Sequence, residues 1–312
     1  MRTLILVCLG GLAAQLVDGG LGMGFGATST TILIALAGIG PAQASAVVHT
    51  AELGTTLASG FAHWRFGNVD WKVVGFLAVP GAVGAFAGAT LLTSMSTAAA
   101  RPVTSAILLL IGLNLLWRFS RGRVRRARAD RPHHPGFLVG LGLFGGFIDA
   151  SGGGGWGPVT TSTLLGLGRA EPRRVVGTVN TAEFLVTLAA VAGFVLGLWE
   201  DLVANAVLVL ALLIGGVIAA PIAAWMVSRL NPAALGAVVG TLLVLLNAST
   251  VLGLVGIGGA AVLVVQALVL LAGVALALRG WRRTARERSV AVRVVAEQEP
   301  ARAGQGVPQP AR

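Results

Sequence analysis

Four carboxyl groups stand in stretches of sequence that hold almost no other charge: Asp18, Glu52, Asp149 and Glu183. The two aspartates open similar glycine-rich runs, "DGGLGMGFGATSTTIL" and "DASGGGGWGPVTTSTL", and the two glutamates close matching "TAE" triplets. Three residues before the glutamates stand His49 and Asn180, a spacing that puts each pair on one helix face. Ionisable groups inside apolar segments are costly and mark polar paths or proton relays. A structural reading competes with this one, because a carboxyl can accept the backbone N–H groups that a broken helix sets free. Both readings stand for Asp18 and Asp149. Glu52 and Glu183 point to proton handling or to the polar lining of a path.

The glycine runs suggest what would travel along it. Irregular backbone at membrane depth is tolerated only where it is buried in protein or lines a wet cavity. Glycine there lets a ligand approach the main chain. Gly152, Gly153, Gly154 and Gly155 are followed by Trp156, Gly157 and Pro158, and proline favours the first helical position. A helix starting near Pro158 points its N–H groups and positive dipole end at the break, with Thr160 and Thr161 adding hydroxyls in its first turns. That is the chemistry of an anion site. Gly22, Gly24, Gly26 and Thr28 are the weaker counterpart in the first run. The competing reading is close helix packing through small residues. A nucleotide-binding glycine loop does not fit, since no βαβ context surrounds these glycines. One His and one Glu per run do not make a metal site, and no catalytic set or cofactor motif appears, so an enzyme is not expected. A lone Cys8 excludes an intrachain disulfide.

The elements that must hold these residues are apolar. Hydrophobic residues make up 55% of the 312-residue chain against 11% charged, and residues 19–48, 73–100 and 230–278 carry no charge at all. A spanning helix needs about 20 apolar residues, so the chain reads as an all-α, multi-pass integral membrane protein. The net charge of +11 does not indicate a nucleic-acid partner. Seven arginines fall between Arg118 and Arg131 and six between Arg279 and Arg293, each group directly after an apolar segment. That is the positive-inside pattern, with lipid headgroups as partners. It places the Arg-rich loop and the C-terminus in the cytoplasm and the chain in the inner (plasma) membrane. The opening "MRTLILVCLGGLAAQ" resembles a signal peptide, but its counterpart in mid-chain argues against cleavage.

That counterpart exists because the chain is written twice. At an offset of 131 residues, Gly22, Gly24 and Gly26 fall on Gly153, Gly155 and Gly157, and "HTAELGTTLA" falls on "NTAEFLVTLA". Further on, Gly81 pairs with Gly216 at an offset of 135. Each copy parses into five apolar elements: 3–18, 23–40, 43–64, 71–95 and 101–119, then 136–149, 154–168, 173–199, 202–228 and 233–255. Five is odd, so the two copies cross the membrane in opposite directions. The parity holds whether the first two elements of each copy span or re-enter. Short, glycine-interrupted segments at matching places in two inverted halves point to a transporter's binding site. The domains are then a first repeat over 1–119, an Arg-rich loop over 120–135, a second repeat over 136–256, an extra span over 257–280 and a basic, disordered tail over 281–312.

The repeated halves, the D-x-x-x-G-G-G-W-G-P pattern at Asp149 to Pro158 and the "NTAE" after it resemble the sulfite exporter TauE/SafE family, over roughly residues 5–255. The resemblance implies secondary transport of a small sulfur-containing anion such as sulfite or a sulfonate, with Gly154 to Pro158 in the family's motif. The first copy departs from it, with Leu21, Met23, Phe25 and Ala27 where Gly152, Gly154, Trp156 and Pro158 stand in the second. The expectation is an exporter working by alternating access, with protons as coupling ion. The alternatives are a carrier for another solute such as a metal cation, or a non-transporting scaffold or accessory subunit.

Overall fold

The computed structural model describes residues 2–21, 23–120, 132–167, 169–226 and 232–303. Gly22 and most of the Arg-rich loop lie outside them. Every described element is a helix. The first copy forms α1 (Arg2–Leu21), α2 (Phe25–Ile32, continued by the wider π turn Leu33–Ala37), α3 (Pro41–Arg65), α4 (Trp71–Ser94) and α5 (Thr97–Ser120). The second forms α6 (Pro135–Gly152), α7 (the π turn Gly157–Thr161 leading into Ser162–Leu167), α8 (Pro172–Ala204), α9 (Ala206–Met226) and α10 (Pro232–Leu254), and α11 (Ala260–Ala303) follows.

Local chemistry sets the limits. Pro41, Pro135, Pro172 and Pro232 open their helices, where a missing N–H costs nothing. Asp70 caps α4 by accepting from the Lys72 and Val73 amides. The sequence's break between 199 and 202 appears as a kink at Leu198, where φ is −137°. Six described helices, α4, α5, α6, α8, α10 and α11, are long and apolar enough to cross a membrane. α2 and α7 are not: at about 1.5 Å per residue they reach roughly 20 Å or less, against a hydrocarbon core of about 30 Å.

Packing follows the copies. With α1 matched to α6 and α4 to α9, the contact of α4 with α6 has its counterpart in that of α9 with α1, while α3 packs on α8 and α5 on α10. Small residues make the close approaches. A Cβ on Gly142 would meet the Leu77 carbonyl at 2.5 Å, and one on Gly11 would meet the Leu212 carbonyl at 2.8 Å. Gly142 and Leu77 become Gly11 and Leu212 under the two repeat offsets.

α11 stands apart. Only 6% of Ala260–Arg282 is buried, and it lies along α10 and α5, tied by the Gln266 amide to the Leu245 carbonyl. It also runs on to Ala303, as a helix through residues for which the sequence predicts disorder. Ala, Arg, Glu and Gln in that stretch are good helix formers. Large apolar side chains such as Leu110, Leu210, Leu263 and Leu271 face outward, as a lipid-facing surface requires.

Candidate functional site

The two glycine runs meet in the middle of the bundle. A Cβ on Gly154 would lie 2.0 Å from the Ala27 nitrogen, and one on Gly26 would lie 2.7 Å from Gly154 Cα. Gly154 also holds a φ of +130°, which side-chain-bearing residues rarely adopt. The Thr30 hydroxyl of α2 donates to the Gly153 carbonyl and ties the breaks together. Gly154 is therefore a residue of contact between two backbones. Gly26 and Ala27 pack against the face where a side chain on Gly154 would stand, so the packing reading of this glycine applies to it, while its backbone also lines the central cavity.

The carboxyls divide into two kinds. Asp149 Oδ1 accepts from the Gly155 amide at 2.6 Å and the Trp156 amide at 2.9 Å. Asp18 stands by the amide of Phe25, the residue that matches Trp156. Asp149 thus caps the short helix after its break, and Asp18 occupies the matching place in the first copy. At the start of α7 the Gly155 and Trp156 amides, which an anion would have used, are taken by a carboxylate of the chain. The hydroxyls are also spoken for in part: Thr160 donates back to the Trp156 carbonyl and Ser162 to that of Pro158. Thr161 and Thr28 are buried without a hydrogen-bond partner, but neither lines the central cavity. By contrast, no hydrogen bond among the described residues fixes the carboxyl of Glu52 or Glu183, and both face the cavity.

His49, fully buried, joins the halves. Its Nδ1 lies 2.8 Å from the Ser45 carbonyl, which can only accept, so Nδ1 carries a hydrogen. Its Nε2 lies 3.2 Å from Asp149 Oδ2. That contact needs a proton between the two atoms, whichever of them holds it. Ser45 also donates to the Ala150 carbonyl, so α3 is fastened to the end of α6 at two points. In the second copy Asn180 replaces the imidazole and donates to Ser59 instead.

One cavity collects most of the expected residues. Asp18, Glu52, Asp149 and Glu183 all line it, with Gly24, Gly26, Asn180 and the segment from Gly154 to Pro158. Gly152, Gly153, Thr28, Thr160, Thr161 and His49 stand behind that wall and are not among its lining residues, and Gly22 is outside the described residues. Sequence reasoning missed Gln15, Thr55, Thr56 and Ser59, which also line it. Their signal was present: Gln15 is the one amide in the first apolar element, and the others follow Glu52 within two helical turns. Among the described residues, no Arg or Lys lines this cavity. Trp156 closes one side, fully buried, with its indole N–H donating to the Val179 carbonyl at 3.1 Å.

Known proteins show which family the chain resembles. The family model described as sulfite exporter TauE/SafE matches residues 7–250. The chain is 47% identical over 254 residues to the "Probable membrane transporter protein YtnM" of Bacillus subtilis (strain 168), covering 81% of this chain and 84% of that one. No solved structure gives a significant match.

Proposed function

The chain belongs to the sulfite exporter TauE/SafE family, and on that premise we propose that it is a secondary transporter that exports a small sulfur oxyanion, sulfite or a sulfonate, across the plasma membrane by alternating access. Its two halves are inverted repeats, with the Arg-rich loop and the C-terminus in the cytoplasm. The observation that carries this reading is the convergence of both breaks and both "TAE" glutamates on one buried cavity. A scaffold has no use for broken helices there.

The lining adds a requirement. An anion entering a cavity edged by four carboxyls and no basic side chain meets repulsion unless protons accompany it. A protonated Glu52 or Glu183 donates its O–H to the oxyanion, and the proton between His49 and Asp149 lies one turn away. This lining supports proton coupling as part of the reading.

The test is flux into proteoliposomes of the full chain, screened over sulfite, sulfate, thiosulfate, sulfonates and divalent metals, with and without an imposed pH difference. Sulfite or sulfonate flux that responds to the pH difference is expected. The same carboxyl lining favours a second reading, a cation carrier, and selective divalent-metal flux would establish it instead. No flux of any solute would return the chain to the scaffold class.

A further inference from the structure

A second cavity, about 760 Å³, lies at the end of the bundle where α4, α6 and α8 begin and α7 ends. Its chemistry is the opposite of the central one. Among the described residues, Lys72, Arg169 and Arg174 line it together with His133 and His134, against a single carboxyl, Asp70. That carboxyl is already engaged twice. Oδ1 caps α4, and Oδ2 lies 3.5 Å from Arg174 Nη2. The cavity therefore holds excess positive charge.

The other end of the bundle makes the comparison. α3 and α8 run antiparallel, with Gly177 against Asn68 and Gly60 against Thr181, so the starts of the two helices lie at opposite ends. Under the repeat offsets, Lys72, Arg169 and Arg174 become Val207, Gly38 and Gln43. There the Gln43 amide donates to Asp201 Oδ1 at 3.4 Å, where the first end has an ion pair. Two matched ends thus differ in charge. The positive-inside pattern accounts for basic residues in loops, but not for their gathering around a cavity.

We propose that this cavity is the receiving vestibule of the transport path, where an oxyanion is held by Arg169, Lys72 and Arg174 before it reaches the central site. The inference rests on the transport reading and adds direction to it, because the matched positions at the other end, Val207, Gly38 and Gln43, carry no charge to hold the substrate. A cavity edged by carboxyls cannot draw an anion from solution, whereas a basic cleft concentrates it. Guanidinium groups match oxyanion geometry, and an arriving anion competes with Asp70 for Arg174. About half a turn of α8 separates the two chambers: Thr178 lines the vestibule, Asn180 the central cavity, and Trp156 holds the carbonyl of Val179 between them.

The first test needs no transport. Ala170→Cys, which lines the vestibule, is placed in a Cys8→Ser background of the full chain, purified in nonionic detergent. Its rates of modification by an anionic and a cationic methanethiosulfonate are compared with those of a free small thiol. The ratio should favour the anionic reagent by at least about fivefold, as charge focusing in a cleft allows. It should collapse in high salt and in Arg169→Gln or Lys72→Gln, and persist in Arg282→Gln. A ratio near one, or one indifferent to Arg169 and Lys72, overturns the proposal. In proteoliposomes, Lys72→Gln should raise the KM for sulfite several-fold with kcat nearly unchanged, and an unchanged KM would also overturn it. If the parent protein carries neither sulfite nor a sulfonate, the substrate reading fails while the thiol ratio still decides the vestibule.

Discussion

Two kinds of carboxyl at one cavity give two kinds of expected phenotype. Asp149 holds the start of α7 through two amides and shares a proton with a fully buried imidazole. Asp149→Ala removes both, leaving orphaned amides and an unpartnered His49. The loss should be roughly 3 kcal/mol or more, seen as a lowered thermal midpoint in detergent. A parent-like midpoint would mean that the cap carries no weight. Glu183 has no such structural duty, and Glu183→Gln keeps its shape. An amide cannot take up and release a proton, so this variant should melt like the parent, still bind the anion and lose the response of flux to a pH difference. If it answers the gradient as the parent does, coupling lies elsewhere. Glu52→Gln should resemble it if both halves share the role.

The short helices after the breaks are positioned by aromatic side chains wedged against glycines of the long ones. Trp156 packs where a Cβ on Gly81 would lie 2.9 Å from its ring and 2.8 Å from Val186, whereas at the matching Gly216 the nearest atoms, on Thr55 and Phe25, are 3.2 and 3.4 Å away. Overpacking costs about 1–3 kcal/mol where nothing can yield. Gly81→Ala should therefore destabilise by that amount, and Gly216→Ala by clearly less. Gly140→Ala, with nothing within 4 Å of its Cβ, should be neutral or slightly stabilising. Thermal midpoints of the three variants, ranked in any other order, would show that the wedges do not position the breaks. The elements themselves were legible in the sequence, since prolines, charges and glycines punctuate nearly every boundary. What filled the helix start at α7 was not. A one-dimensional pattern shows a carboxyl beside a break but not which atoms its oxygens reach, so a cap and a ligand-facing acid look alike. Nor could it show that Gly154 is pressed on Gly26, a contact between residues more than a hundred positions apart.

For the molecule as a whole, the central cavity was largely readable because the repeat pairs its residues, while the vestibule was not: no motif joins Lys72 to Arg169. Direction of transport depends on orientation, and the proposed orientation rests on charge. Two described segments near the vestibule carry basic residues, the α3–α4 connection with Arg65 and Lys72 and the α7–α8 turn with Arg169, Arg173 and Arg174, and in the sequence the Arg-rich loop directly precedes Pro132. At the far end stand Glu200 and Asp201. Basic loops stay in the cytoplasm. On the proposed inverted repeat, equivalent turns of the two halves, the α3–α4 turn and the α8–α9 junction, fall on opposite sides of the membrane. Single cysteines in a Cys8→Ser background read this directly in intact cells with an impermeant thiol reagent. Arg125→Cys and Thr284→Cys should be protected, and Glu200→Cys should label. Permeabilising the cells should then expose the first two, which separates sidedness from burial. Labelling of Arg125→Cys and Thr284→Cys with protection of Glu200→Cys would invert the molecule, turning the basic vestibule outward and making the same geometry that of an importer.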